Sequence, residues 1–252
     1  IQKATQYSKN PIAHAQTAGL TLQSHGDIRN AKAFASLSQD LVVYLTNRDR
    51  WMRWDNNKWH VWEKNEHIAL GKHVANEILT AAVSIYTRDQ EQGAKYVKAA
   101  INAHNLSRIS AMLELAVDEP GMSVTDAELD SDPYLLGVQN GVIDLRTGQL
   151  LENSPDFFIT RYCNASFSED PTCPRWLKFL DEIFISDMFT VESVQRLLGL
   201  TLLGLSDQEI LVICYGFGSN GKSVFSNIVH KILGGYSVTA PPSLLTLRRQ
   251  DD

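Results

Sequence analysis

The sequence has few cysteines and no long apolar run. Its three cysteines, Cys163, Cys173 and Cys214, are odd in number and form no Cys-x-x-Cys pair. This argues against a disulfide framework and a zinc ribbon, and it favours a reducing compartment. No stretch approaches ~18 uninterrupted apolar residues, so no transmembrane span is predicted. The N-terminus also lacks an apolar signal core, and we expect a cytoplasmic protein.

A strong positive charge is also missing. The 252 residues carry a net charge of −6, with 14 Lys and Arg against 11 Asp and Glu in 1–118, and 9 against 18 in 119–252. A strongly basic composition is typical of nucleic-acid binding, and this sequence does not have one. If the protein holds DNA, it does so through a local patch or through a ring that concentrates a few charges around a channel.

Apolar spacing and turn residues predict a mixed α/β fold. In chain order we predict a helix from Asp27, its N-cap, to about Val42; a β-hairpin over 51–64; helices over 66–88 and 90–117, the second region broken near 102–105; short strands and hairpins over 130–160; and helices over 174–185 and 190–203.

One motif carries chemistry. Residues 210–215 form a continuous apolar run, which is typical of a parallel strand covered on both faces. Residues 216–223 directly follow it and fit the phosphate-binding pattern G-x-x-x-x-G-K-[ST] at every fixed position. Residues 224–233 then show helical spacing and stop at two glycines. A chance match in a glycine-bearing loop is the alternative, and the flanking strand and helix argue against it.

The motif predicts a role for each of its residues. The loop glycines let several backbone N–H groups point at one anion, and the helix N-terminus adds partial positive charge. Lys222 is predicted to reach the β- and γ-phosphates, and the Ser223 hydroxyl to bind Mg²⁺. The predicted nucleotide-binding residues are Gly216, Phe217, Gly218, Ser219, Asn220, Gly221, Lys222, Ser223 and Val224.

Hydrolysis of ATP also needs a carboxylate that holds Mg²⁺ and a group that orients the attacking water, both on later strands of the same sheet. Only 29 residues follow Ser223, and Asp251 and Asp252 follow no apolar strand. We therefore expect the sequence to hold the first part of an ATPase domain, which is inactive by itself.

Several segments together resemble the phage, plasmid and poxvirus-type primase–helicases, which are superfamily 3 DNA helicases. Residues 134–148 are similar to the "NGVxDLxTG" signature of that family, 173–180 to its next helix and 195–204 to the one after. The loop 218–223 is similar to the family's phosphate loop. The resemblance covers about 130–252 well and is weaker over 27–118.

The resemblance implies an ATP- and Mg²⁺-dependent DNA helicase of a mobile element, assembled as a hexameric ring around DNA in a bacterial host or its equivalent. A helicase loader or a primase domain is a possible partner, and no membrane is implied. It divides the sequence into a flexible lead-in over 1–26, a mostly helical domain with a small β element over 27–190, and the start of a P-loop, AAA+-like parallel-sheet ATPase core over 191–252. Two alternatives stay open: a non-enzymatic module for assembly or loader contacts, and a P-loop NTPase unrelated to DNA.

Four weaker patterns have plainer interpretations. Trp51, Trp54, Trp59 and Trp62 lie beside several cations and could stack on unpaired bases, but we favour a hairpin whose rings pack onto neighbouring helices. The spacing of His60, His67 and His73 fits no standard zinc pattern. For Asp144 and Arg146, turn chemistry and a local salt bridge are at least as good an explanation as function. We interpret the scattered carboxylates Asp130, Asp132, Asp181, Glu182 and Asp187 as a solvated acidic face.

Overall fold

A computed structural model describes residues 26–63, 65–205 and 210–244. Their contacts divide into two compact units, one of residues 26–55 and 59–129 and the other of 56–58 and 130–244 within the described ranges. Both helices and small sheets are present, so the predicted mixed α/β class is confirmed. Within the described ranges, no helix is both long enough and apolar enough to cross a bilayer.

The first unit packs four helices against a four-stranded sheet. Its elements in chain order are α1 (Asp27–Ser38), β1 (Val42–Leu45), a 3₁₀ turn (Thr46–Arg48), β2 (Arg50–Trp54), β3 (Trp59–Val61), α2 (Glu66–Tyr86), α3 (Gln90–Asn102), α4 (Leu106–Ala116) and β4 (Ser123–Val124). The strand order is β3-β2-β1-β4, with β4 parallel to β1 and the other pairs antiparallel.

The core of the first unit lies between the helices and the sheet. Helical spacing puts one apolar face of each helix on the same side, which removes those side chains from water. Each of α1 to α4 contributes to one buried cluster with Trp51 of β2, and that cluster includes Phe34, Val74, Ile78, Tyr96, Ala100, Ile109, Met112 and Leu113. The hairpin over 51–64 and the helices over 66–88 and 90–117 are confirmed, with the predicted break falling between α3 and α4.

The first helix differs from its prediction at both ends. Gly26 stands at the N-cap position, and Asp27 is already helical. The Asp27 carboxylate accepts a hydrogen bond of 2.6 Å from Arg108 of α4, so its charge serves a tertiary ion pair instead of a cap. At the other end, Val42 belongs to β1 because its backbone pairs with Arg53 of β2.

The second unit contains a three-stranded sheet and three helices. Its elements are β5 (Leu135–Val138), β6 (Gly141–Asp144), β7 (Gln149–Leu151), a 3₁₀ turn (Pro155–Phe157), α5 (Pro174–Ile183), α6 (Met188–Leu200), α7 (Lys222–Leu233) and two further 3₁₀ turns (Gly234–Tyr236 and Pro242–Leu244). The sheet is antiparallel in the order β5-β6-β7, as the turn residues of 130–160 predict. The helices predicted at 174–185 and 190–203 are confirmed as α5 and α6, within a few residues at their ends.

The strand predicted over 210–215 is wrong. These residues have no regular structure, and the side chains of Leu211 and Ile213 are 72% and 73% exposed. A parallel strand needs a hydrogen-bonded neighbour, and within the described residues neither sheet includes 210–215. The apolar run alone therefore does not make a strand here.

Candidate functional site

The predicted phosphate loop leads directly into α7. Gly221 occupies the N-cap position with φ 83°, and Lys222 is the first residue of the helix. Gly216 has φ 138° and Ser219 has φ 62°, so the backbone reverses its curvature along the loop. Glycine adopts such angles without a steric penalty. The first backbone N–H groups of α7 have no partner within the helix and point out of its N-terminus towards the loop.

Lys222 folds back over the loop that precedes it. Its ammonium donates hydrogen bonds to the carbonyl oxygens of Gly216 (3.0 Å) and Phe217 (3.2 Å) and to the side-chain oxygen of Asn220 (2.6 Å). An ammonium group has three donors, and all three are used inside the loop. These contacts hold the positive charge of Lys222 at the N-terminus of α7. The ammonium and the helix dipole therefore attract an anion to the same place.

The other predicted loop residues lie around this lysine. Residues 216–220 are exposed, as are Ser223 and Val224, whereas Gly221 and Lys222 are half-buried. The structure therefore brings 216–224 together at one end of α7, with the Ser223 side chain on the surface. The nucleotide-binding roles of these residues stay predictions.

Helix α5 packs directly against the loop. A Cβ atom added to Gly221 would lie 2.7 Å from Cγ2 of Ile183 and 3.2 Å from the ring of Phe179. One turn away, the rings of Trp176 and Phe225 stack with centroids 5.7 Å apart. Position 221 therefore needs glycine for its space as well as for its backbone angle, and α5 fixes the start of α7.

The opposite end of α7 is tied to the sheet through residues 162–164. Asn164 donates its side-chain amide to the Lys231 carbonyl (3.0 Å) and its backbone N–H to the Ile232 carbonyl (2.8 Å). Cys163 in turn donates its N–H to the Gly137 carbonyl of β5 (2.9 Å). These contacts join the C-terminal end of α7 to the antiparallel sheet.

Tyr236 makes a second tie between the same elements. Its hydroxyl accepts a hydrogen bond of 3.0 Å from the backbone N–H of Gly137. Burial raises the pKa of this phenol from 10.0 to about 12, because the charged form would lose its hydration. The sequence gives no local signal for the Asn164–Lys231 and Tyr236–Gly137 hydrogen bonds, which join residues 67 and 99 positions apart.

The signature residues Asp144 and Arg146 have structural partners. The Arg146 guanidinium contacts Asp144 (2.9 Å) and Asp132 (2.9 Å), and it lies 5.3 Å from the ring centre of Tyr134. Hydrogen bonds from Arg146 lower the pKa of the Asp144 carboxyl, which keeps that carboxyl charged. The predicted turn and local salt bridge are both present.

The tryptophan hairpin packs mainly into the first unit. Trp51 and Trp59 are 7% and 2% exposed, so their faces are not available for stacking on bases. Trp54 is half-buried against Trp59, with centroids 5.7 Å apart, and Arg53 is exposed beside it. Trp51 belongs to the buried cluster formed with the helices, and Trp62 packs against that cluster, so packing onto helices is confirmed for these two rings. Of the four rings, Trp54 and Trp62 keep partly accessible surfaces.

His60, His67 and His73 have separate surroundings and do not form a common site. His60 contacts Asp55 across the hairpin, and His73 lies 4.0 Å from Glu77 on α2. Burial lowers the pKa of His67. In the described ranges, no group of three or more His, Cys, Asp or Glu could hold a metal ion.

Comparison with known proteins identifies the family. A model of the "D5 N terminal like" family matches residues 31–185, which is more than half of the chain. The chain is 28% identical over 145 residues to "Putative helicase 184R" of Invertebrate iridescent virus 6, covering 54% of this chain and 14% of the relative. It is 32% identical over 125 residues to "Putative helicase L207/L206" of Acanthamoeba polyphaga mimivirus, covering 48% of this chain and 13% of the relative.

The matches agree with the motif order in the sequence, and the resemblance to primase–helicases is confirmed. The chain spans only about one seventh of the length of the two viral relatives. The family match ends at residue 185, before the phosphate loop begins. The chain belongs to the D5 N-terminal-like family, a helicase- and primase-related family.

Proposed function

We propose that residues 216–223 bind the phosphates of a nucleoside triphosphate with Mg²⁺, and that the longer protein uses ATP to unwind DNA. The observation that supports this most is the Lys222 ammonium, held by three loop oxygens at the N-terminus of α7. Phosphate oxygens carry more negative charge than those neutral acceptors. The ammonium can therefore exchange loop contacts for stronger charge-assisted ones when a nucleotide arrives.

Each residue of the loop has a proposed role. The backbone N–H groups of Gly218, Ser219, Asn220 and Gly221 surround the β-phosphate, with those of Gly216 and Phe217 at the entry to the loop. Lys222 contacts the β- and γ-phosphates. The N–H groups of Ser223 and Val224 continue the cradle into the first turn of α7, and the Ser223 hydroxyl binds Mg²⁺.

The DNA-unwinding part of the proposal is supported by the family and by the names of its viral relatives. We infer that the longer protein forms a ring, with six subunits as in superfamily 3 helicases, and that DNA passes through it. A ring repeats a local positive patch several times around its channel, which compensates for the net charge of −6 of these 252 residues. A loader or primase domain is a further proposed partner, and residues 1–252 alone are not expected to turn over ATP.

The test is the DNA-stimulated ATPase rate of the intact protein with Lys222→Ala. The matched control is Lys231→Ala, which removes the same charge from the exposed last turn of the same helix. We expect turnover to be abolished by Lys222→Ala and unchanged by Lys231→Ala. Equal rates in all three proteins would contradict the phosphate-binding role. An ATPase rate that is lost in Lys222→Ala but is the same with and without DNA would favour an NTPase unrelated to DNA.

A further inference from the structure

A groove of about 740 Å³ lies between α5 and α7, beside the phosphate loop. Its floor is apolar, and its rim carries charged groups from α5. The lining residues are Cys173, Arg175, Trp176, Lys178, Phe179, Glu182, Val224, Ile228 and Ile232. Sites for small molecules are typically of this size and combine an apolar floor with a few polar groups.

The groove is continuous with the loop at one end. Val224 lines the groove and directly follows Ser223, the last residue of the phosphate-binding pattern. Phe179 lines it from the other side, and the ring of Phe179 also packs on Gly221 of the loop. A molecule whose phosphates lie in the loop therefore has an apolar space available within its own length.

We propose that this groove holds the nucleoside part of the triphosphate, with the base between the side chains of α5 and those of α7. This inference rests on the proposed phosphate binding at the loop and adds the residues that recognise the rest of the nucleotide. The aromatic side chains Trp176 and Phe179 and the aliphatic Val224 and Ile228 supply the apolar surface that the flat base covers.

The rim supplies polar contacts. Lys178 and Glu182 are 77% and 62% exposed and lie 3.8 Å apart, so either group can turn to a ligand at little cost. A carboxylate accepts from ribose hydroxyls or an exocyclic amino group, and an ammonium donates to ring nitrogens or carbonyl oxygens. Trp176 is held by its stacking on Phe225, which keeps this wall of the groove in place when the ligand is absent.

Binding of the nucleoside in the groove can be measured separately from binding of the phosphates in the loop. The test is calorimetric titration of the protein with ATP–Mg and, separately, with inorganic triphosphate–Mg. Ile228→Trp places a large ring in the groove. Asn227→Trp adds the same ring to an exposed position of α7 that does not line the groove. Circular dichroism shows whether both variants keep the wild-type fold.

We expect ATP to bind the wild type at least about tenfold more tightly than triphosphate. Contact between a base and aromatic side chains contributes a binding free energy of this size in other proteins. Ile228→Trp should remove most of that difference by weakening ATP binding, and its affinity for triphosphate should equal that of the wild type. Asn227→Trp should bind both ligands with wild-type affinity. Equal affinities for ATP and triphosphate in the wild type would overturn the groove proposal and leave the loop proposal standing. Triphosphate binding that is unaffected by Lys222→Ala would instead overturn the loop proposal.

Photolabelling gives a measurement that needs no variant. 8-azido-ATP bound to the wild type should attach within 173–182, which is Cys173 and helix α5, or to α7 within 224–232, and excess ATP should prevent the labelling. Specific attachment only outside these two helices would overturn the groove proposal.

Discussion

The Lys222 ammonium lies 2.6 Å from the side-chain oxygen of Asn220, two residues earlier in the same loop. Its two other acceptors, the carbonyls of Gly216 and Phe217, also belong to the loop. Lys222 is the first residue of α7, so these three hydrogen bonds join the loop only to the first turn of the helix that follows it. The group can leave these oxygens for a phosphate without disturbing the packing of either sheet or helix.

This local bonding predicts that Lys222→Ala leaves the fold intact. We expect the free energy of unfolding to change by less than about 1 kcal/mol, since substitutions outside the packed core rarely cost more. The measurement is urea denaturation followed by circular dichroism. A loss above about 2 kcal/mol would show that the lysine has a structural role, and its effect on nucleotide binding could not then be assigned to phosphate contacts.

The tie between Tyr236 and Gly137 predicts a stability loss on Tyr236→Phe. The change removes the acceptor and leaves the buried N–H of Gly137 without its partner, which typically costs about 1–3 kcal/mol. The matched control is Tyr215→Phe, because the Tyr215 side chain is 90% exposed. Urea unfolding at pH 8 should separate the two variants, and equal midpoints would contradict the tie.

The same tyrosine predicts a dependence on alkaline pH. Its pKa in the folded protein, about 12, is above the ordinary value of 10.0, so the fold favours the neutral phenol. The stability from this preference is fully present below pH 10 and is lost as the pH rises towards 12. The difference in unfolding free energy between the wild type and Tyr236→Phe should therefore shrink between pH 9 and pH 11.5. A constant or growing difference would contradict the burial of the hydroxyl.

Close packing of α2 against α3 predicts that Gly93→Ala is destabilising. A Cβ atom at Gly93 would overlap the backbone of Tyr86, so the helices would have to separate, at a cost of about 1–3 kcal/mol. Gly199→Ala is the control, because at that helical position a Cβ would have no described atom within 4 Å apart from the adjacent backbone of its own helix. It should be neutral or stabilising by up to about 1 kcal/mol. Equal thermal midpoints for the two variants would contradict the predicted contact.

The buried tryptophans predict weak binding of single-stranded DNA by residues 1–252. Trp51 and Trp59 are covered, and the partly accessible rings of the hairpin are Trp62 and Trp54, the latter beside the exposed Arg53. We expect a labelled oligonucleotide to bind weakly at low salt and not at moderate salt. Tight binding that survives moderate salt and is lost in a Trp54→Ala/Arg53→Ala double variant would make the hairpin a DNA-binding platform.

Local signals predicted most of the fold. The turn over 55–58 predicted the hairpin, Pro174 marked the start of α5, and Gly234 marked the end of α7, because each depends on backbone angles of neighbouring residues. Strand β1 was missed because Val42 continues the helical spacing of α1. Its assignment depends on pairing with β2 and with the two-residue strand β4, nearly 80 positions away.

The loop was recognisable from eight consecutive residues, but its surroundings were not. The packing of Phe179 on Gly221 and the ties of Asn164 and Tyr236 to other elements join distant parts of the chain. The apolar run at 210–215 predicted a strand wrongly, because hydrophobicity alone does not supply a hydrogen-bonded neighbour.

Nucleotide binding by the loop 216–223 can be tested by calorimetric titration of residues 1–252 with ATP–Mg. The three proteins to compare are the wild type, Lys222→Ala and Lys231→Ala. Loss of a charge-assisted contact to phosphate costs about 1.5–3 kcal/mol, which corresponds to roughly a 10- to 150-fold change in affinity. We predict saturable binding with one site in the wild type and in Lys231→Ala, and at least about tenfold weaker binding in Lys222→Ala. Equal affinity in all three proteins, or no binding by the wild type, would contradict the assignment of 216–223 as a nucleotide-binding loop.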